Sequence, residues 1–124
     1  MITADDVKLA VSKLKRVKID GMHVLSSDYF LNAGHDLYVH LALLFTAMIV
    51  HGIVPREFLI SSILPIPKSK LSGTANSDNY RGIALSSILG KILDHVILSK
   101  YGEKVCTSDQ QFGFKRKSST DMCA

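Results

Sequence analysis

Cysteine is scarce in this 124-residue chain: Cys106 and Cys123 are the only two. Two are too few for a disulfide framework, and their spacing fits neither a zinc site nor a CxxC redox pair. They read as structural thiols of a reducing compartment. Long apolar runs are lacking as well. The longest, residues 37–50, is interrupted by His40 and Thr46, whereas a bilayer span needs about 20 apolar residues. A buried core helix is the expectation, with no membrane partner. The opening Met-Ile-Thr-Ala-Asp-Asp has no basic stretch followed by an apolar one, so no secretory signal is expected and the protein should be intracellular.

Several chemistries lack their residues. There is no GxSxG elbow and no GxxxxGK[ST] phosphate loop. His35 and His40 are five apart, His51 is remote, and no cysteine sits at ligand spacing. The five histidines therefore read as helix-surface or hydrogen-bonded core residues, with no metal site. The adjacent carboxylates Asp5 and Asp6 are accounted for by the helix N-terminus they occupy.

What is present suits one packed domain. Hydrophobic residues make up 47% of the chain and charged ones 21%, which excludes an acidic disordered tail. The net charge of +4 favours polyanionic partners. Its layout is uneven: residues 1–18 carry +3, residues 19–55 have three Asp and no Lys or Arg, and +4 follows from Arg56 onward. The middle third reads as core-forming and the outer thirds as surfaces that meet an anion.

Thr3 followed by Asp5 and Asp6 predicts an N-cap. Val7, Leu9, Val11, Leu14 and Val17, with lysines and Arg16 between them, predict one amphipathic helix running to the Asp20-Gly21 turn. A short helix is expected over 27–33, an apolar one over 36–51 stopped by Gly52, and a further short segment from Pro55 to Phe58. At Leu59 the spacing changes. Residues 60–66 and 80–85 predict two short strands joined by a polar loop, with Pro65 and Pro67 marking an edge. Ser86 or Ser87 then caps a helix with Ile88, Leu89, Ile92, Leu93, Val96 and Ile97 on its apolar face, ended by Gly102. The fold class expected is α+β, mainly helical with one antiparallel β-hairpin. Ser119 or Thr120 reads as a further helix cap four residues before the end, so a larger domain is expected.

Three stretches carry more than periodicity. They are Leu64-Pro-Ile-Pro-Lys68, then Asn79-Tyr-Arg-Gly-Ile-Ala-Leu85 with its following Ser-Ser-Ile-Leu-Gly-Lys-Ile-Leu, and Gln111-Phe-Gly-Phe-Lys-Arg-Lys-Ser-Ser-Thr120. Upstream lie Asp20-Gly21 and Gly52-Ile-Val-Pro55. In this order and spacing, over about residues 18–124, they resemble the reverse transcriptase domain of non-LTR, LINE-like retrotransposons. The family's corresponding patterns are P-I-P-K, N-Y-R-P-I-S-L, Q-x-G-F-R-x-G-x-S-T, D-G and G-x-x-P.

The resemblance implies an RNA-directed DNA polymerase, a nucleotidyltransferase with an RNA template, a DNA primer and deoxynucleoside triphosphates as partners. It implies that residues 1–124 are the fingers and the beginning of the palm of a right-hand polymerase. Mg2+ is implied for the complete family domain, held by Asp residues of later palm strands that include a Tyr-x-Asp-Asp turn, since two-metal chemistry activates the attacking hydroxyl. This chain has no Tyr-x-Asp-Asp, so no catalytic or metal-binding residue is expected in it, the downstream palm and thumb are missing, and it should be inactive alone. Lys68 and Arg81 are implied to hold the nucleotide triphosphate from the two ends of the hairpin, Arg81 as a fork and Lys68 as a point charge. Gln111, Lys115, Arg116 and Lys117 are implied as template contacts, joined by the basic face of residues 8–18.

Three positions depart from the family: Gly82 replaces Pro, Lys115 replaces Arg with loss of the bidentate fork, and Lys117 replaces Gly. Such changes fit a divergent or decaying copy. The alternative reading is a non-catalytic retroelement remnant, acting as a helical interaction or basic nucleic-acid-binding module.

Overall fold

In the computed structural model, residues 1–21, 25–69 and 75–111 are described. Helix α1 (Ala4–Ser12) starts at Thr3 with a capping box: the Thr3 side chain accepts from the Asp6 amide, and the Asp6 carboxylate accepts from the Thr3 amide. Helix α2 (Ser27–Leu31) is capped by Ser26. Helix α3 (His35–His51) ends at Gly52, whose φ of 64° is left-handed, a conformation glycine adopts without a Cβ penalty. Helix α4 (Arg56–Leu59) follows Pro55. Strands β1 (Ser62–Pro67) and β2 (Tyr80–Leu85) form a two-stranded antiparallel sheet. Helix α5 (Ile88–Tyr101) is capped by Ser87, whose hydroxyl accepts from the Gly90 amide 3.0 Å away. Mixed helix and strand make the fold α+β, and the expected hairpin is present. No helix among the described residues is long and apolar enough to cross a membrane.

The core lies where α1 packs on α3 and α5. Val7, Ala10 and Val11 of α1 meet Leu41, Ala42, Phe45 and Met48 of α3 and Ile88, Ile92 and Val96 of α5 in one buried cluster. Phe58 approaches Phe45 edge-on, with ring centroids 6.4 Å apart. Among the described residues every buried side-chain nitrogen or oxygen has a hydrogen-bond partner. Thr46, which breaks the apolar run, accepts from the Ile2 amide at 3.1 Å and fastens the start of the chain to α3. Tyr38 donates to the Phe30 carbonyl at 2.9 Å.

Four expectations are corrected. First, α1 stops at Ser12, not at the Asp20-Gly21 turn. Its buried stripe is Val7, Ala10 and Val11, while Leu9 and Val17 are exposed. Ser27 supplies the reason: its buried hydroxyl donates to the Lys15 carbonyl at 2.8 Å and accepts from the Lys18 amide at 3.1 Å. Those bonds draw residues 13–18 into an irregular turn, with Val17 at a φ of 56°. Lys8 alone of the expected basic face therefore sits within α1. Second, α2 is two residues shorter than expected: the Asn32 side-chain amide donates to the Asp28 carbonyl at 2.9 Å, a local bond that competes with the helix, and the Ala33 amide turns to the Phe30 carbonyl at 3.3 Å. Third, β1 begins at Ser62 and includes Pro67, so it is shifted from the expected 60–66. Fourth, α3 is core on one side only. Leu43 is 65% exposed and Val50 72% exposed, because α1, α2 and α5 cover a single face of a helix that is apolar all round.

Candidate functional site

Most of the hairpin stands out in solvent. After the half-buried residues Ser62 and Tyr80, both strands are exposed. The register pairs Ser62 with Leu85, Ile66 with Arg81, and Pro67 with Tyr80. It continues one step further, as the Lys68 amide donates to the Asn79 carbonyl at 2.7 Å. Side chains alternate faces with a period of two, so Lys68, Ile66 and the cross-strand partner Arg81 share one face of the ribbon. Lys68 and Arg81 are thus diagonal neighbours, a relation that sets Cβ atoms about 7 Å apart.

This corrects the expected arrangement. The two cations do not sit at opposite ends of the hairpin. Both lie at its loop end, because β1 runs into the loop just as β2 leaves it. The Lys68 ammonium donates to the Asp78 carbonyl at 2.6 Å, which anchors it over the loop and leaves it further donors. Asn76 orders this corner by accepting from the Asp78 amide at 3.1 Å. Chemically, a point charge beside a guanidinium fork on one exposed face can grip vicinal anionic oxygens.

Gln111 does not join them. It lies beyond α5 and the 3-10 turn Gly102–Lys104, exposed, with its amide donating to the Ser108 carbonyl at 3.0 Å. Lys115, Arg116 and Lys117 fall outside the described residues. Among the described residues there is no group of three or more His, Cys, Asp or Glu side chains able to hold a metal ion.

The base of the hairpin holds a residue whose role spacing did not reveal. Gly21 lies against Ser62 and Leu85, the first register pair, and the Ser62 hydroxyl donates to the Gly21 carbonyl at 2.8 Å. A Cβ built on Gly21 would fall 2.6 Å from the Leu85 carbonyl oxygen and 2.9 Å from the Ser62 Cβ. Only glycine fits this approach. The Asp20-Gly21 dipeptide, legible as a turn, is the point where the ribbon meets the helical body. Beside it an apolar cavity of about 310 Å³ opens between Leu25, Phe58, Ile60 and Leu89, with Asp20 and Ser87 in its wall. Gly82, which stands where the family pattern has proline, lies opposite Pro65. A Cβ there would come 3.1 Å from the Ile63 side chain, so that side chain would have to give way.

No protein-family model matches the chain. It is 29% identical over 127 residues to the RNA-directed DNA polymerase from mobile element jockey of Drosophila funebris, covering 96% of this chain. The same-named polymerase of Drosophila melanogaster is 29% identical across 80% of the chain. A 115 kDa protein of the type-1 retrotransposable element R1DM, also of Drosophila melanogaster, is 25% identical across 90%. The chain spans 13%, 11% and 11% of the length of these relatives, respectively. The homologues of this chain are proteins of non-LTR, LINE-like mobile elements, RNA-directed DNA polymerases among them, as its motifs had indicated.

Proposed function

We propose that this chain is the fingers and the beginning of the palm of a retroelement reverse transcriptase, and that its exposed hairpin clamps the triphosphate of an incoming nucleotide. The observation that carries this reading is the register, which sets Lys68 and Arg81 on one face at the loop end of the ribbon. A triphosphate presents adjacent oxyanions. Arg81 would fork two of them and Lys68 would neutralise a third as a point charge. Gln111, Lys115, Arg116 and Lys117 are proposed to meet the template backbone, where cations contribute sequence-independent affinity. The RNA template and the DNA primer are then the macromolecular partners. The divalent metal implied for the complete domain finds no fitting ligand group among the described residues. No step is therefore assigned to it on this chain.

The test is equilibrium binding of a deoxynucleoside triphosphate to the 124-residue chain, followed by calorimetry. Arg81→Gln is expected to weaken it roughly tenfold, the worth of one charge-assisted pair at about 1.5 kcal/mol. Arg81→Lys should fall between the two, keeping the charge and losing the fork. Equal affinity for the parent and Arg81→Gln would overturn the assignment.

A further inference from the structure

The cavity at the root of the ribbon has a composition that the clamp does not use. Its volume of about 310 Å³ is bounded by Leu25, Phe58, Ile60 and Leu89, with the carboxylic residues Asp20 and Glu57 also in the wall. Among the described residues no basic side chain lines it. In a chain of net charge +4, this is an apolar hollow whose charges are negative. Asp20 comes from residues 19–55, which contain no Lys or Arg, and it is only 5% exposed.

The walls are fixed by bonds within the chain. The Asp20 amide donates to the Leu25 carbonyl at 3.0 Å, and an antiparallel bridge between Ile19 and Ser26 holds the same two segments together. The Phe58 ring stands edge-on to Phe45. Ser87, the remaining wall residue, has its hydroxyl engaged by the Gly90 amide. A hollow built this way exists before anything enters it, so filling it costs little ordering.

Size and chemistry together select a class of ligand. A cavity of about 150 Å³ holds one benzene ring, so 310 Å³ has room for a fused ring pair and a short side chain. The apolar walls favour a flat, hydrocarbon-like body. A carboxylate set against low-dielectric surface attracts a cation more strongly than one in open water. Asp20 already has an interaction partner within the chain, and a carboxylate keeps lone pairs for a further donor. An anion would instead face two like charges. We infer that this cavity binds a small aromatic ammonium, its rings against Leu25, Phe58 and Leu89 and its amine toward Asp20 and Glu57. The site uses neither Lys68 nor Arg81 and stands without the reverse transcriptase reading.

The experiment is an NMR titration of the isotope-labelled 124-residue chain with three indoles of similar shape: tryptamine, its neutral alcohol tryptophol, and the anion indole-3-acetate. Tryptamine should bind with a Kd on the order of 1 mM, as expected for a ligand of its size. Tryptophol should bind about tenfold more weakly, having lost one charge-assisted hydrogen bond. Indole-3-acetate should be weaker still. The chain's overall positive charge favours that anion elsewhere on the surface, so a preference for the cation reports the cavity's own charges. The amide shifts should move at Leu25, Phe58, Ile60 and Leu89. Asp20→Asn should abolish most of the preference for tryptamine over tryptophol, and Glu57→Gln, on the exposed helix α4, should reduce it in part. Thermal unfolding checks that both variants fold. Three results on the parent chain overturn the assignment: no saturable tryptamine shift by about ten times the expected Kd, equal affinity for tryptamine and indole-3-acetate, or shifts centred on Lys13, Lys91 and His95. An unchanged preference in a folded Asp20→Asn chain also overturns it. Each leaves the triphosphate test on Arg81 standing, so the two readings fail separately.

Discussion

Gly21→Ala is the sharpest perturbation the structure offers. The added methyl would lie 2.6 Å from the Leu85 carbonyl oxygen, 2.9 Å from the Ser62 Cβ and 3.1 Å from the Leu85 Cβ. Carbon contacts are comfortable at about 3.5 Å or more, so the backbone of β2 must withdraw by the better part of an ångström. Overpacking of this kind costs about 1–3 kcal/mol. The withdrawal also stretches the 2.8 Å bond from the Ser62 hydroxyl to the Gly21 carbonyl, worth about 1 kcal/mol. Against this stands a gain of about 0.4–1 kcal/mol from the stiffer unfolded chain. The net loss is about 1–3.5 kcal/mol. For 124 residues that corresponds to a Tm lowered by roughly 3–18 °C, since each kcal/mol moves domains near this size by about 3–5 °C. Urea unfolding followed by far-UV circular dichroism gives the free energy. Hydrogen exchange should show the amides of β1 and β2 losing protection before those of α3, because the clash lies at the ribbon's attachment. Ser62→Gly removes the 2.9 Å contact and not the 2.6 Å one but also deletes the hydroxyl bonded to the Gly21 carbonyl, so added to Gly21→Ala it should not restore the parent's stability. A Gly21→Ala variant within about 0.5 kcal/mol of the parent, or full rescue by Ser62→Gly, would refute the close approach.

Two further outcomes follow from the helical body. Ser27→Ala leaves the Lys18 amide and Lys15 carbonyl without the hydroxyl and should cost about 1–3 kcal/mol in urea unfolding; a loss below about 0.5 kcal/mol would contradict it. Asp6 carries a carboxyl held below the ordinary range by the Lys100 ammonium 2.7 Å away, and next by the Thr3 amide. A lowered folded-state value stabilises above the unfolded carboxylate range and is lost as pH falls through that lowered value. Asp6→Asn should therefore flatten the acid limb of stability against pH, by no more than about 1 kcal/mol because the pair is solvent-screened; an unchanged acid limb would contradict it.

Local chemistry made much of this protein legible from its residues. Thr3, Ser87 and Gly52 end or begin helices through bonds and φ values that involve only their own neighbours. The apolar face of α5 was readable for the same reason, as was the change to strand spacing near Leu59. Tertiary structure alone decided the rest. The pattern of residues 4–18 suits a continuous helix, yet Ser27, nine to twelve positions away from its partners, captures their backbone and turns the chain. No periodicity encodes that. Lys68 and Arg81 were identifiable as a pair from their motifs, but their shared end and face depend on which residues of β1 and β2 exchange hydrogen bonds. The exposed side of α3 reads as core because hydrophobicity alone does not say how many neighbours will cover it. The dense approach at Gly21 joins segments far apart in sequence. A one-dimensional pattern records what each residue prefers; which distant residue it meets is settled by the packing of α1, α3 and α5.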